Sequence, residues 1–430
     1  MLAKFFGLEQ LGTTVRTEVL AGITTFLTMA YIIIVNPDIL SVAGMDKGAV
    51  FVATCLAAAS ASLIMGLYAN YPIALAPGMG LNAYFSFVVV KTLGYPWEVA
   101  LGAVFLSGVI CVVLSALPVR RWIIDSIPRS QKMAISAGIG FFLGLIALKS
   151  AGIVVAHPAT LVTSGDLSAW PSLLAAGGFL LMIALDYRKI PGAIIVGVLA
   201  VAASGMILGL SPAPSGIVDT PPSLEPTFLQ LDLSKAFELG LVAIVFTFVM
   251  VDLFDTAGTL VGVTHRAGLL DKNGNLPRLK RALIADSSAT VIGALLGTSS
   301  TTSYIESAAG VKAGGRSGLT ACVVGVLFLL ALVFAPIATA IPSYATAPAI
   351  LFVACMMGGA LADLDWDDAT EYAPAMVTAL AMPFTFSIAT GLGLGFITYA
   401  LVKVLSGRAR DASASVWVIA GLFLVKFAVG

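Results

Sequence analysis

The chain has 430 residues, 59% of them hydrophobic and only 11% charged, with equal numbers of acidic and basic side chains and no net charge. A mean hydropathy of +1.02, and a charged share far below the roughly 25% usual in soluble domains, exclude an ordinary globular enzyme and mark a polytopic membrane protein. The neutral balance gives no basic footprint for nucleic acid and there is no GxxxxGK[ST] loop for ATP, so any driving force has to come from an ion gradient.

In chain order, the apolar run at Val19–Val35 lacks an A-x-A-like cleavage site and continues into "NPD", so it reads as a retained first span. Runs able to cross a hydrocarbon core of about 30 Å then recur. They give 14 spans near 19–36, 50–69, 73–91, 97–117, 131–149, 170–186, 191–210, 236–264, 282–297, 299–311, 317–339, 345–361, 374–390 and 391–405, with an apolar tail at 414–429 left open. Threaded from a cytoplasmic N-terminus, 18 of the 23 Lys and Arg fall inside. Lys47, Lys91, Lys149 and Lys235 fall outside, and Lys426 lies in the tail.

The longest connector, Ser211 to Ser234, is proline-rich without Lys or Arg and reads as external. It divides the spans seven and seven, and an odd number per half inverts the second half relative to the first. Two weak internal matches fit this: "TTFLTMAY" aligns with "FTFVMVDL" at an offset of 222, and Asn82 aligns with Glu306 at 224. Cys55, Cys111, Cys322 and Cys355 are scattered singly as packing residues, and His157 and His265 fall in expected loops, so neither a metal site nor a cofactor is expected.

The third span opens "YPIALAPGMGLNAYF", broken by Pro77, Gly78 and Gly80, and the tenth opens "GTSSTTSYIESAAG", with six hydroxyl residues from Thr298 to Ser303. Broken spans at matching positions of two halves point to a transporter's binding site, because freed backbone groups need a polar cavity. In the eighth span Asp252 lies about 16–20 Å from either end of the apolar run 239–263, too deep to reach water, and Asp255 follows at i+3 on the same side of the helix. Each such acid costs about 2.5–3.5 kcal/mol on insertion scales.

Glu306 in the tenth span and Asp286 in the ninth add two more acids, with no base at comparable depth. Four such groups cannot all stay ionised, which makes one a natural proton carrier. Each also has a structural alternative. Asp286 and Asp255 can satisfy backbone or neighbouring helices, Asn82 can bond between helices, and the acidic run Asp363–Glu371 reads as a solvated loop. Tyr84, Phe85, Phe248, Phe254 and Tyr304 are available as stacking faces or as core. A flat neutral heterocycle with N–H donors suits this set of acceptors better than an anion does.

The motifs "GITTFLTMAYIIIVNP", "VFVATCLAAA", "YPIALAPGMGLNAYF", "VDLFDTAGTL" and "TSSTTSYIESAAG" resemble the AzgA-like purine permease branch of the nucleobase–cation symporter-2 family along essentially the whole chain. The resemblance implies an all-α membrane fold of 14 spans in two inverted repeats of seven, with short β-strands at the broken third and tenth spans. It implies a core domain at 1–117 and 235–340, a gate domain at 118–210 and 341–430, and the external connector at 211–234 between the repeats.

It further implies proton-driven import of adenine, guanine or hypoxanthine across the plasma membrane by alternating access, with no enzymatic activity, and a homodimer through the gate domains. By the same resemblance, Asp252 and Glu306 hold the base with Asn82, and Ser303, Tyr304, Ala83 and Phe26 in the matching motifs complete the binding set. Asp255 and Asp286 join Asp252 and Glu306 as the proton-coupling acids. The eighth-span "DLFDT" departs from the glutamate and histidine of uracil and xanthine members. An uncoupled facilitator or channel is the alternative.

Overall fold

A computed structural model describes residues 2–117, 127–234, 239–266, 269 and 276–429. Arg120, Arg121, Lys235 and Lys272 of the charge count lie outside the described residues, as do the side chains of His265 and Arg266. Among the described residues, eight helices are long and apolar enough to cross a membrane.

After a short α1 (Leu2–Phe6), the first span is two helices, α2 (Val15–Met29) and α3 (Ile32–Ser41), parted at Ala30–Tyr31. Pro37 lies inside α3, where it leaves the Ile33 carbonyl without its helical N–H donor. Helix α4 (Lys47–Ile64) is capped by Asp46 and runs on as a π-helix to Ala69. The third span is strand β1 (Leu75–Pro77), then α5 (Met79–Ala83), continued as a π-helix to Thr92.

Next come α6 (Trp97–Ala116) and α7 (Arg129–Ser150). A segment expected as plain loop instead forms an exposed hairpin of β2 (Val154–His157) and β3 (Leu161–Ser164), and it carries His157. Helices α8 (Trp170–Tyr187) and α9 (Ala193–Ile207) close the first half.

The connector crosses the surface on backbone hydrogen bonds, among them Leu229 N–H to Leu295 O at 2.9 Å and Asp232 N–H to Glu98 O at 2.9 Å. Helix α10 (Leu239–Arg266) carries both eighth-span aspartates, and α11 (Leu279–Leu296) carries Asp286. The tenth span is strand β4 (Thr301–Ser303) and α12 (Ser307–Lys312). The chain continues through α13 (Gly318–Ala331), α14 (Ala335–Ala340), α15 (Ser343–Gly358), α16 (Ala369–Phe384), α17 (Ile388–Leu405) and α18 (Ala414–Val429).

Two expectations are corrected here. The thirteenth span starts at Ala369, five residues before its expected start, so the acidic run is not all solvated: Asp368 caps α16 and Glu371 sits in its first turn. Lys403, fully buried, reaches Glu371 Oε1 at 2.7 Å, and a carboxylate that pairs with a buried cation is drawn in with it. Hydrogen bonds from Thr370 and then Arg408 hold Asp368 well below the usual carboxylate range. The second correction concerns the tail. It is a helix packed on α17, and it brings Lys426 Nζ within 3.3 Å of Thr247 Oγ1 on α10, about 7.5 Å of helix rise from Asp252. A base therefore does stand at the depth where none was expected.

Helices α2, α4, α6, α10, α11 and α13 pack mainly among themselves, and α7, α8, α9, α15, α16, α17 and α18 do likewise. The strands pack on the first group, β1 on α4 and β4 on α11 and α10. β1 and β4 pair antiparallel with Leu75 opposite Ser303 and Pro77 opposite Thr301, and all six of their residues are buried. Gly78 N–H extends the ladder to Ser300 O at 2.8 Å, and Tyr304 N–H to Ala74 O at 3.0 Å. At membrane depth a broken helix persists only where its backbone groups find partners, and here the facing strand supplies some and side chains others, as Ser62 Oγ does by accepting the Leu75 N–H at 3.0 Å.

Candidate functional site

Strand β4 is fixed from beneath by Asp286. Its Oδ1 accepts the Ser303 N–H at 3.0 Å and the Ser303 hydroxyl at 2.9 Å, while Oδ2 accepts the Thr256 hydroxyl at 2.7 Å. Thr290 Oγ1 donates to Thr301 O at 3.0 Å, and Tyr304 Oη crosses to Pro77 O at 2.6 Å. Three elements, α10, α11 and β1, are thus tied to one three-residue strand. Gly78 allows the approach, since a Cβ there would stand 2.8 Å from Thr302 Cγ2.

Where the strands end, a cavity of about 80 Å3 opens. A water needs roughly 10–15 Å3 of such space, so it has room for several. Its polar wall is Asp255 and Thr259 of α10 with Thr302, Ser303, Tyr304 and Glu306. Gly78, Met79, Gly80 and Leu81 line a second side. Ser136, Ile139 and Leu143 of α7 and Val353 and Met357 of α15 close it from the other helix group. Among the described residues, no group of three His, Cys, Asp or Glu is placed to hold a metal ion.

Glu306, Ser303 and Tyr304 of the expected binding set therefore meet at this cavity with Asp255. Asp252, Asn82, Ala83 and Phe26 are not among its walls. Asp252 is 1% exposed, one turn before Asp255; residues at i and i+3 differ by about 60° around a helix, enough to turn one carboxylate into the cavity and the other away. Asn82 is engaged elsewhere: its amide donates to Asn36 Oδ1 and its oxygen accepts from Ser299 Oγ, while Asn36 also donates to Thr54 at 2.7 Å and Thr298 at 2.8 Å. Phe26 packs edge-on against Phe328, with ring centroids 5.2 Å apart. Of the aromatic candidates only Tyr304 faces the cavity; Tyr84 packs on Phe248 at 5.1 Å and Phe254 on Phe396 at 5.9 Å.

One contact has no counterpart in the expected set. Tyr31, fully buried at the break between α2 and α3, donates its hydroxyl to Glu306 Oε1 at 2.5 Å. In the sequence it is only the tyrosine that closes the first-span motif "TTFLTMAY". Ser136 and Met357 were equally unmarked, because nothing in α7 or α15 departs from an apolar helix at those positions.

A helical membrane protein with paired strands at two broken spans, and carboxylates around the cavity between them, is of the carrier class and not an enzyme. The chain belongs to the Permease family, whose xanthine/uracil permease profile it matches over residues 16–394. It is 50% identical over 426 residues to the adenine permease AdeP of Escherichia coli (strain K12), covering 99% of this chain and 96% of that one. To the guanine/hypoxanthine permease PbuG of Bacillus subtilis (strain 168) it is 46% identical, covering 98% and 97%. Among solved structures, the transmembrane domain of a cyanobacterium bicarbonate transporter, BicA, superposes with a TM-score of 0.66 over 88% of this chain and 96% of that one, at 14% identity, which speaks to the fold alone.

Proposed function

We propose that this permease imports purine nucleobases, adenine or guanine and hypoxanthine, together with protons across the plasma membrane. The observation that carries the reading is that Glu306 and Asp255 line one cavity at the strand break. The relatives' substrates, adenine in one case and guanine and hypoxanthine in the other, support the substrate class. A carboxylate accepts hydrogen bonds only, which suits ring N–H and exocyclic amino donors and disfavours anions.

In this reading Glu306 holds the base and Asp255 carries the proton, with Ser303 and Tyr304 flanking. Asp252 belongs to proton coupling first; to touch the base it needs α10 to move relative to the cavity in another state of the cycle. Asn82 acts on the site through its bonds to Asn36 and Ser299.

The 14 spans form two inverted repeats of seven. Residues 1–117 and 235–340 make a core, 118–210 and 341–430 a gate, the N-terminus is cytoplasmic, and gate domains pair in a homodimer. The way helices pack in two groups with the cavity between them supports movement of gate against core. One proton carried with a neutral base gains about 2.3 kcal/mol per 100 mV, enough to concentrate it roughly fifty-fold.

Radiolabelled base uptake in a host lacking purine transport tests this, with competition by adenine, guanine, xanthine and uracil. Glu306→Gln and Asp255→Asn chains that reach the membrane and still accumulate bases at the full rate would overturn it. An uncoupled facilitator is the second reading, and a protonophore that leaves accumulation unchanged would select it.

A further inference from the structure

We propose that Asp38 and Lys47 of the first helix group, with Thr346 and the Ile341 carbonyl of the second, form a latch that holds the carrier closed on the face crossed by the connector. This rests on the reading that the two groups move past each other in a transport cycle. Asp38 belongs to α3, which packs on α4, and Lys47 is the first residue of α4. Thr346 lies in the first turn of α15, and Ile341 stands two residues ahead of that helix.

Two bonds cross between the groups. The Thr346 hydroxyl donates to Asp38 Oδ2 at 2.8 Å, and Lys47 Nζ donates to the Ile341 carbonyl at 3.0 Å. Lys47 also pairs with Asp38 Oδ1 at 3.4 Å, so the two charged residues are bound to each other and to the start of α15 at once. A carboxylate beside the first turn of a helix meets the positive end of its dipole, which favours this placement of Asp38.

Neighbouring contacts fix which face is held. A Cβ on Gly48, next to Lys47, would stand 3.1 Å from Pro222 Cβ of the connector, and Tyr344 Oη, close to Thr346 on α15, lies 3.1 Å from Ser211 Oγ at the connector's start. The latch is therefore at the end of the molecule read as external. From Thr346 to Val353 and Met357, which line the cavity, α15 rises about 11 and 17 Å. A helix tied at the surface is thus also a wall of the site.

These contacts can be released. Thr346 has a second acceptor in its own helix, Ser343 O at 2.9 Å, so its hydroxyl keeps a partner when Asp38 leaves. The side chains of Lys47 and Asp38 are 27% and 17% exposed, so water can replace the protein groups, and ion pairs in reach of water are weak. Lys403 and Glu371 differ on both counts: they join α16 to α17 inside one group, and the lysine is fully buried. Parting them would leave a charge behind in the protein.

The test is initial uptake of labelled base, without a pH gradient, by proteoliposomes holding the chain in each of its two orientations. Wild type, Thr346→Ala, Thr346→Ser and Lys47→Met are compared, with the amount of chain in each preparation measured. Apparent affinity at a face rises with the fraction of molecules open to it. Thr346→Ala and Lys47→Met should each lower the ratio of KM at the connector face to KM at the opposite face, about threefold to tenfold. Thr346→Ser keeps the donor and should match wild type.

A purely structural role would alter KM or the maximal rate alike from both faces and leave the ratio where it is. An unchanged ratio in Thr346→Ala and Lys47→Met, or a ratio that rises, overturns the latch. Should Thr346→Ala fail to reach the membrane, Lys47→Met decides alone by the same ratio. Absence of uptake by the wild type from either face would instead overturn the transport reading, so the two failures are distinguishable.

Discussion

Asp286 accepts both the backbone N–H and the side-chain hydroxyl of Ser303, 3.0 and 2.9 Å from the same carboxylate oxygen. The ninth span thereby holds the strand that presents Ser303, Tyr304 and Glu306 to the cavity. Removing one partner of a buried hydrogen bond costs about 1–3 kcal/mol, more with a charge involved. Asp286→Ala should therefore abolish measurable uptake while leaving part of the chain in the membrane. Asp286→Asn, which keeps one acceptor, should retain uptake with KM raised at least threefold. Kinetics normalised to membrane level check this, and equal KM for Asp286→Asn and wild type would count against the clamp.

The legible part of the site was its cost. Charges at membrane depth are expensive, so Asp252, Asp255, Asp286 and Glu306 stood out in an apolar background, and Pro77, Gly78 and the hydroxyl run at Thr298–Ser303 announced breaks in two spans. What sequence could not show was direction. Spacing places Asp252 and Asp255 on one side of a helix, but only the packing of α10 decides that Asp255 reaches the cavity. Asn82 likewise reads as a polar residue at the right break, and the partners that engage it, Asn36 and Ser299, are 46 residues before it and 217 after it. Tyr31 and Ser136 carry no such cost, since a tyrosine or serine in a span is ordinary, and they entered only through the fold.

The pairing of Lys403 with Glu371 gives a stability prediction. Lys403 is fully buried; its Nζ lies 2.7 Å from both Glu371 Oε1 and Thr370 Oγ1, and Glu371 also accepts from Tyr399 at 3.0 Å and from Ser130. This joins α7, α16 and α17. Removing one member of a buried pair costs about 3–5 kcal/mol because the other charge stays behind, and Glu371, whose side chain is 23% exposed, recovers part of that from water. Glu371→Gln strands Lys403 and should lower the thermal midpoint in detergent more than Lys403→Met does. The double variant Glu371→Gln with Lys403→Met should recover most of the loss.

Gly80 and Ile139 test whether close approach of the two helix groups matters to transport. A Cβ on Gly80 would meet Ile139 Cγ2 at 2.6 Å, well inside contact distance, and both residues line the cavity. Overpacking of this kind typically costs 1–3 kcal/mol unless the neighbour yields. Gly80→Ala is expected to cut the maximal uptake rate at least fivefold with normal membrane levels. Pairing it with Ile139→Ala, which clears the space, should restore a large share of the rate. If the pair is as slow as Gly80→Ala alone, the contact is not what limits the cycle.

Asp255 gives the sharpest separation of binding from coupling. It lies in the cavity within electrostatic reach of both Asp286 and Glu306, and in the proposed cycle it is the group that takes a proton from outside and releases it inside. Asp255→Asn mimics the protonated acid in shape and hydrogen bonding and cannot release a proton. A carrier fixed in that state should still bind base and exchange labelled for unlabelled base across the membrane, because exchange needs no net proton movement. It should lose accumulation: where the wild type concentrates base several-fold and a protonophore collapses that gradient, the variant should only equilibrate, with or without protonophore. Glu306→Gln should differ in kind, losing exchange as well, since the acceptor for the base is gone. Counterflow and net uptake measured in the same proteoliposomes separate the two acids. Accumulation by Asp255→Asn at wild-type level would move the proton to another group, with Asp252 the next to examine.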